Sequence, residues 1–372
     1  MKDKPKDIQY VLPYGESIRG FANQQFIPKT EVTKLLRERG IFVFNNDKSY
    51  TVPILQRLLL SPREFDLLRD AYNSREDNFK TISREIVWTD SVTLSELNNL
   101  PIDLDNFIRT QLPTCKLLSP IRFSMVEDNP NHIAADFKIS RQDINKSWYE
   151  QTNIFQGSIE FTNENGSGRV IIKHTAPETK KIAEEVQKIK VAQFKENNIM
   201  LPSSKPKEIL FSEFSNKERF NFFYDLTITM KNNDIFTCKD IIDISIKPDD
   251  SIEILPKGID WMQQMKKLLI SGNGLGQTFF MKDTTYHESL ILWNVVALFE
   301  YDYHGVKGTV TANFGFSDYT DKGRTSEFEI SVLALTNDNK TDVKRKKKLM
   351  SVLQSELDKH KSIIYNYFVK NK

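Results

Sequence analysis

The sequence predicts an α+β protein, in which a helical N-terminal module precedes a larger domain built on antiparallel sheet. Helix signals dominate residues 1–112, period-two alternation begins near Cys115, and residues 340–368 have the pattern of one long amphipathic helix. The length of 372 residues suits two or three domains. We therefore expect domains at 1–112 and 113–372, with the loop at 198–207 as a candidate subdivision of the second.

The N-terminal module opens with a predicted helix, an extended stretch and a second helix. The first helix runs from Thr30, as its N-cap, to Gly40, a residue typical of helix ends. Residues 41–44 are extended, and a second helix covers residues 52–60. Pro53 is tolerated there only in the first turn, because proline has no N–H to donate.

A third helix is predicted to begin at Ser61, with Glu64 completing a capping box. Residues 86–89 have the β-branched and aromatic character of a short strand that leads out of the module. A further short helix is expected over residues 105–112, before Pro113. The module is therefore mainly helical.

Two β-hairpins and a helix open the second domain. The first hairpin pairs residues 121–126 with 133–139 around a turn at 128–131, and the second pairs residues 155–161 with 169–174. A capping box at 175–178 begins a helix whose apolar face extends to Asn197.

Beyond the 198–207 loop, the pattern again mixes helices and strands. A capping box at 215–218 predicts a helix start, and residues 258–269 have helical spacing. Alternation predicts strands at 242–247, 290–302, 306–316 and 327–335. The last three are expected to form a meander.

The charge of the chain is concentrated at its C-terminal end. The formal net charge is only +2, but residues 340–372 contain ten Lys or Arg and three acidic residues, a local charge of +7. Adjacent cations displace counterions from a phosphate backbone, so this segment is a candidate nucleic-acid contact. The alternative is a solvated helix face. The candidate contacts are Lys344, Arg345, Lys346, Lys347 and Lys348.

Composition excludes several classes of protein. Cys115 and Cys238 are too few for a disulfide framework or a cysteine zinc cluster, which suggests reduced thiols. The first residues form no apolar signal segment, and no window approaches a membrane span. We expect a cytoplasmic protein.

No cofactor or metal site is predicted in the leading interpretation. The five histidines lack metal-ligand spacing, and the glycines at 272–276 follow a predicted helix and lack the Lys-Ser/Thr ending of a phosphate loop. One alternative remains open. Asp128, Asp136 and Lys138 fit the PD-(D/E)xK nuclease pattern, whose carboxylates hold Mg²⁺. Asp136 and Lys138 also fit the polar face of a strand.

The N-terminal helix, extended loop and helix resemble the SAP and HeH type of DNA-binding module. The sequence lacks that pattern's loop glycine before Lys48. A helical module that docks protein is the alternative, and the sequence does not separate the two. The core-like residues are Leu35, Leu36, Gly40, Ile41, Leu55 and Leu58. The basic residues that such a module would turn to phosphates are Lys29, Lys34, Arg37, Arg39, Lys48 and Arg57.

At full length, the chain resembles the second, non-nuclease subunit of a two-protein bacterial anti-phage system found on mobile defence islands. Residues 12–16, 35–41, 60–65 and 261–262 prompt this resemblance. It implies a partner subunit that carries a PD-(D/E)xK nuclease domain. None of these segments is a catalytic motif, so the resemblance implies no active-site residue in this chain.

These observations lead to one function hypothesis with two rivals. We expect a non-catalytic subunit that binds nucleic acid, in the form of duplex DNA, and a nuclease partner within a hetero-oligomer. The rivals are a metal-dependent nuclease that uses Asp128, Asp136 and Lys138, and a scaffold subunit without DNA contacts.

Overall fold

The computed structural model describes residues 12–24, 27–73, 78–89, 93–98, 100–143, 145, 147–148, 151–164, 167–230, 233–337 and 343–370. The chain forms two compact units, each assembled from separated segments. Unit 1 comprises Met1–Asn78, Thr93–Ile159 and His174–Gln193; unit 2 comprises Phe79–Val92, Glu160–Lys173 and Phe194–Lys372. Among the described residues, no helix has both the length and the apolar character of a membrane span.

The predicted α+β class is confirmed, with N-terminal helices followed by antiparallel strands and packed helices. The helices are α1 (Glu16–Ala22), α2 (Lys29–Glu38), α3 (Lys48–Leu55), α4 (Pro62–Asn73), α5 (Asp105–Gln111), α6 (Pro177–Glu196), α7 (Asn216–Tyr224), α8 (Phe279–Lys282), α9 (Tyr319–Lys322) and α10 (Val343–Lys370). The strands are β1 (Lys80–Val87), β2 (Cys115–Leu117), β3 (Ser124–Val126), β4 (Asn129–Gln142), β5 (Thr152–Glu164), β6 (Ser167–His174), β7 (Phe236–Pro248), β8 (Leu268–Ser271), β9 (Leu290–Tyr303), β10 (Val306–Gly315) and β11 (Glu329–Asn337).

Helices α1 to α4 enclose one apolar core at the start of unit 1. Leu35, Leu36 and Leu55 are buried in this core, and Ile41 and Leu58 pack partly buried against it. Five of the six predicted core positions are therefore buried or partly buried, whereas Gly40, the sixth, is exposed. Burying a leucine contributes about 2 kcal/mol, so these side chains account for a large part of the module's stability.

Helix α2 begins two residues earlier than predicted. Its N-cap is Pro28, whose backbone is extended, and no side chain caps the helix, so the expected Thr30 cap is wrong. Gly40 adopts a φ of +76° after the helix end, a conformation that glycine takes without steric cost. The predicted stop at Gly40 is confirmed.

Helix α3 also begins earlier than predicted, because Asp47 supplies a cap within a stretch that was expected to precede the helix. The Asp47 carboxylate accepts the N–H of Ser49 at 2.8 Å. Pro53 consequently lies in the last turn and not in the first, and the helix ends at Leu55.

The predicted capping box of α4 is confirmed. Ser61 N donates to Glu64 at 2.7 Å, and Glu64 N donates to Ser61 Oγ at 3.3 Å.

The predicted capping box at the start of α6 is wrong, although the helix itself forms. The Thr175 hydroxyl donates to the Gln156 carbonyl of β5 at 3.1 Å. The Glu178 carboxylate accepts from Arg141 of β4 at 2.9 Å. Neighbouring strands thus compete for both side chains. The hydroxyl of Thr179 accepts the Ala176 N–H at 3.1 Å instead.

The first hairpin forms between β3 and β4, with Met125 opposite Ile133. Its turn lies at Glu127 and Asp128, which have φ values of 51° and 56°, one residue earlier than predicted. In unit 1, β2 also pairs with β4 in antiparallel register, with Lys116 opposite Ser140.

The sheet of unit 2 contains the predicted three-strand meander. From the C-terminal part of β5, its strand order is β5–β6–β1–β11–β10–β9–β7–β8. The β9–β10 turn lies at His304 and Gly305, between the two predicted strands, with φ values of 48° and 80°. Helices α7 and α10 pack on this sheet, and Leu353 and Leu357 of α10 are fully buried in its core.

The helix predicted over residues 258–269 is wrong. The structure has one 3₁₀ turn, Asp260–Met262, and then β8, which pairs with β7 at the sheet edge. Gly258 has a φ of +103°, which a helix interior does not contain. Leu268 and Ile270 face the core while Leu269 is exposed, so the last apolar residues of the predicted helix belong to a strand.

Candidate nucleic-acid interface

One flank of α2 is basic. Lys29, Thr33 and Arg37 are spaced four residues apart and therefore form one ridge along the helix. Lys29 and Arg37 are exposed. Lys34 is also exposed, but its helical neighbours at i−3 and i+4 are the acidic Glu31 and Glu38. The ridge that carries Lys29 and Arg37 is thus the more positive side of this helix.

Arg39, a predicted phosphate contact, is held by contacts within the module. Its Nε and Nη2 donate to the two carboxylate oxygens of Glu64 at 2.5 Å each. Nη2 also donates to the carbonyl of Leu59 at 2.6 Å. A bidentate pair of this kind fixes the end of α2 against the start of α4. The positive charge of Arg39 is therefore neutralised by Glu64.

Lys48 also forms an internal contact. Its Nζ donates to the Gln24 carbonyl at 2.6 Å, which ties the start of α3 to the end of α1. Burial lowers the pKa of Lys48 below the usual lysine value. Arg57, the last predicted contact of the module, is exposed after the end of α3. Five of the six predicted basic residues are exposed, namely Lys29, Lys34, Arg37, Arg39 and Arg57, and of these Arg39 is paired with Glu64.

The extended loop between α2 and α3 carries two outward phenylalanines. Ile41 and Val43 face inward and pack against the core of the module. Phe42 and Phe44 alternate with them and are 80% and 112% exposed. This stretch was predicted to be extended, but no role was predicted for its aromatic residues. The outward direction of Phe42 and Phe44 could have been predicted from the extended stretch, since successive side chains of an extended chain point to opposite sides.

This loop runs beside the basic ridge of α2. It leaves the C-terminal end of α2, where Ile41 N donates to the Leu36 carbonyl at 2.9 Å. It ends at Asp47, whose pKa is lowered mainly by hydrogen bonds from Ser49 and further by the nearby charge of Lys29. Because Lys29 lies at the first turn of α2, the loop returns along the helix on the Lys29 side. The loop therefore begins at the C-terminal end of α2 and ends near its first turn.

A second basic surface is the beginning of α10. The side chains of residues 345–348 are exposed, and the first turn of the helix contains no acidic residue. The side chain of Lys344 lies outside the described residues. The helix is anchored farther along by buried Leu353, Leu357 and Ile364, with Leu349 and Phe368 partly buried. The predicted apolar stripe is confirmed.

Unit 2 also contains buried ion pairs that were not predicted from the sequence. Lys361 of α10 donates to Asp358 at 2.8 Å and to the Ser83 hydroxyl at 2.6 Å. The Ser83 hydroxyl donates to Asp358 at 2.9 Å. In this arrangement Lys361 is a hydrogen-bond donor to both partners and cannot act as a base toward Ser83. The cluster joins α10 to β1.

The residues of the alternative nuclease pattern lie on one hairpin. Asp128 is in the β3–β4 turn, and Asp136 and Lys138 are exposed on the same face of β4. Within the described ranges, no group of three or more His, Cys, Asp and Glu side chains is arranged to hold a metal ion.

Comparisons with known proteins bear on the N-terminal module. Residues 16–78 match the family model described as the GAPS4b protein N-terminal domain. This segment contains α1 to α4, and the match agrees with the resemblance to an anti-phage defence subunit. No curated protein matches the chain.

Among solved structures, the chain is similar to the crystal structure of DynU16, a protein of the dynemicin biosynthetic locus. The identity is 10%, the match covers 77% of this chain and 98% of that chain, and the TM-score is 0.17. A TM-score of this size carries no inference about fold or function.

Proposed function

We propose that the chain is a non-catalytic subunit of a cytoplasmic bacterial anti-phage complex, which binds duplex DNA and a partner subunit with a nuclease domain. The family match of residues 16–78 supports the defence role. The observation that carries the DNA-binding role is the basic start of α10.

Five consecutive cations, residues 344–348, occupy the first two turns of α10. The N-terminal end of a helix carries a partial positive charge and unpaired N–H groups, so cations placed there repel both the dipole and one another. A polyanion would relieve this repulsion and would displace its own counterions. The buried leucines Leu353 and Leu357 keep the helix attached while its basic turns remain exposed.

The N-terminal module is proposed to dock the partner subunit through its loop. Phe42 and Phe44 are exposed there, and Tyr50, in the first turn of α3, is 58% exposed as well. Aromatic side chains dominate the binding energy of protein interfaces, and several exposed together are costly to leave in water. Stacking of unpaired bases on the same rings is the rival role.

The DNA test replaces residues 345–348 by glutamine and measures binding of a duplex at several salt concentrations. We expect the slope of log K against log salt to become shallower by about 0.9 for each phosphate that is no longer neutralised. Affinity should fall for all sequences alike, because phosphate contacts do not read bases. The matched control makes the same charge change at exposed positions elsewhere in unit 2. Its substitutions are Lys217→Gln, Lys257→Gln, Lys266→Gln and Lys282→Gln.

An unchanged slope in the 345–348 variant would show that the start of α10 does not contact DNA. An equally reduced slope in the control would show that only net charge matters.

The docking test co-expresses the chain with the proposed nuclease partner and purifies the complex. Replacing Phe42 and Phe44 by serine should abolish the complex without unfolding the chain, since both side chains are exposed. Ile254→Ser removes another large side chain, 85% exposed, and should leave the complex intact. Loss of DNA binding with an intact complex would favour base stacking instead.

A further inference from the structure

Unit 2 contains a polar cavity that the proposed DNA and partner contacts do not use. It lies at the start of α7, next to the end of β7, and has a volume of about 620 Å³. This volume is in the usual range for small-molecule sites. Its lining includes Phe211, Asn216, Arg219, Lys247, Tyr319 and Arg324.

Arg219 is a buried cation that donates hydrogen bonds to neutral acceptors. Its side chain is 3% exposed. Nη1 donates to the carbonyls of Phe211 at 3.2 Å and Phe214 at 2.5 Å, and Nη2 donates to the Asn216 side-chain oxygen. The guanidinium carbon lies 3.7 Å from the centre of the Phe211 ring. Burial lowers the pKa of Arg219 to about 10.

The Nε of Arg219 is buried and has no acceptor within the described part of the chain. A buried cation that lacks an anionic partner is costly, because desolvation removes the water that would otherwise stabilise it. Arg219 is linked to a carboxylate only through Asn216, which accepts from Arg219 and whose Nδ2 donates to Asp249 at 2.6 Å. Three of the five N–H groups of Arg219 have acceptors, so the Nε–H and one Nη2–H remain without one among the described residues.

The carboxylates around the cavity already have donors of their own. Asp249 accepts from Asn216 and also from Ser251 N and Oγ. Asp250 accepts from Lys247 at 2.6 Å. Glu213 accepts from the Tyr365 hydroxyl at 2.7 Å, and Glu218 is held by the capping box of α7. Most of these donors are neutral, so the carboxylates keep their negative charge. Arg219 and Arg324 are the lining cations that form no ion pair among the described residues.

Arg324 is the second cation. It is exposed, lines the cavity, and forms no ion pair among the described residues. Its charge lowers the pKa of Arg219, but this effect is smaller than that of burial, which also lowers the pKa, and smaller than those of Tyr319 and Asp249, which raise it. Two guanidinium groups that repel each other across a cavity can both be satisfied by one oxyanion, since each can donate to its oxygens.

We propose that this cavity binds a small oxyanion ligand, whose phosphate or carboxylate oxygens accept hydrogen bonds from Arg219 and Arg324. The site goes beyond the proposed DNA-binding role, because its cations line a cavity and do not belong to the basic turns of α10. The first turn of α7 adds the positive end of a helix dipole to the same side of the cavity.

Isothermal titration calorimetry on the full chain tests the site. The probes are sodium phosphate, sodium pyrophosphate and sodium citrate, at an ionic strength held constant with sodium chloride. We expect one saturable site for at least one probe, and about a tenfold weaker Kd in Arg324→Gln. Arg109→Gln, an exposed arginine of α5, should bind as the wild type does. Binding of the phosphates alone identifies a phosphate ligand, and binding of citrate as well extends the site to carboxylates.

The inference is overturned if no probe gives a saturable signal, or if Arg109→Gln weakens binding as much as Arg324→Gln. The variant with glutamine at 345–348 should still bind the probe, and loss of the signal in that variant would assign the anion to α10 instead. Arg219→Gln should remove binding, and its folding is checked first by circular dichroism. Because Arg324 is exposed, Arg324→Gln should fold, and it tests the proposal even if Arg219→Gln does not fold.

Discussion

Arg39 and Glu64 lie 25 residues apart in sequence and form a bidentate ion pair, with both donor–acceptor distances at 2.5 Å. The same carboxylate caps α4 by accepting from Ser61 N. Glu64 therefore joins the end of α2 to the start of α4. Arg39, which was predicted to contact a phosphate backbone, thus also has a structural contact within the module.

Glu64→Ala should destabilise the N-terminal module by about 1 to 2 kcal/mol, because it removes a helix cap and an ion pair together. Hydrogen exchange of the α4 amides measures the effect locally. Glu38→Ala, at an exposed position of α2, is the matched control and should change protection by less than about 0.5 kcal/mol.

The contribution of Glu64 should also depend on pH. Hydrogen bonds from Arg39 are the main cause that lowers the pKa of Glu64 from its usual 4.5 to about 2. A carboxylate whose pKa falls on folding stabilises the protein fully above the unfolded pKa. The difference between wild type and Glu64→Ala should thus be constant above about pH 5 and should shrink as pH falls from 4.5 towards 2. A difference that grows on acidification would contradict the assignment.

Leu353→Asp should destabilise unit 2 by several kcal/mol, since the leucine is fully buried and an aspartate there would lack a partner. Replacing Lys346, Lys347 and Lys348 by glutamine should leave the melting temperature unchanged or slightly raised. These side chains are exposed, and their charges oppose the dipole at the helix start. Thermal unfolding compares the two variants. Equal destabilisation by both would refute the exposed position of the basic turns.

Lys361→Met should cost about 3 kcal/mol, because it leaves the buried Asp358 with only the more distant cation of Arg169, at 3.9 Å. Lys359→Met removes a neighbouring lysine whose pair with Glu356 is at the surface, and should cost less than about 1 kcal/mol. Adding Asp358→Leu to Lys361→Met should recover much of the stability, since no unpaired charge then remains. Urea unfolding gives the three values. Similar costs for the two lysine variants would mean that the Lys361 pair is solvated.

The isolated chain should not cleave DNA in Mg²⁺ or Mn²⁺. Divalent-metal hydrolysis needs carboxylates that converge on one ion. Asp136 is exposed on β4, and the described residues contain no cluster suited to a metal. Plasmid and linear DNA are incubated with the wild type and with Asp136→Ala. Metal-dependent cleavage that disappears in the variant would replace the non-catalytic proposal by the nuclease alternative.

Sequence signals were sufficient to predict the α+β class, the α4 capping box, the β9 to β11 meander and the apolar stripe of α10. These features follow from patterns within one element or between neighbouring ones: a cap three residues from its partner, alternation along a strand, or spacing along a helix. The capping box at Ser61 and Glu64 is such a signal, and so is the exposed basic start of α10.

Long-range partners, by contrast, depend on the tertiary structure. From the sequence alone Arg39 is an unpaired cation, but the fold places Glu64 beside it. The capping box predicted at Thr175 and Glu178 does not form, because these side chains bind Gln156 and Arg141. The cavity cations and the Lys361 cluster likewise depend on contacts between segments that are distant in sequence. Charge and hydrogen-bonding capacity are properties of a residue, but whether they are free for a ligand depends on which groups the fold places next to it.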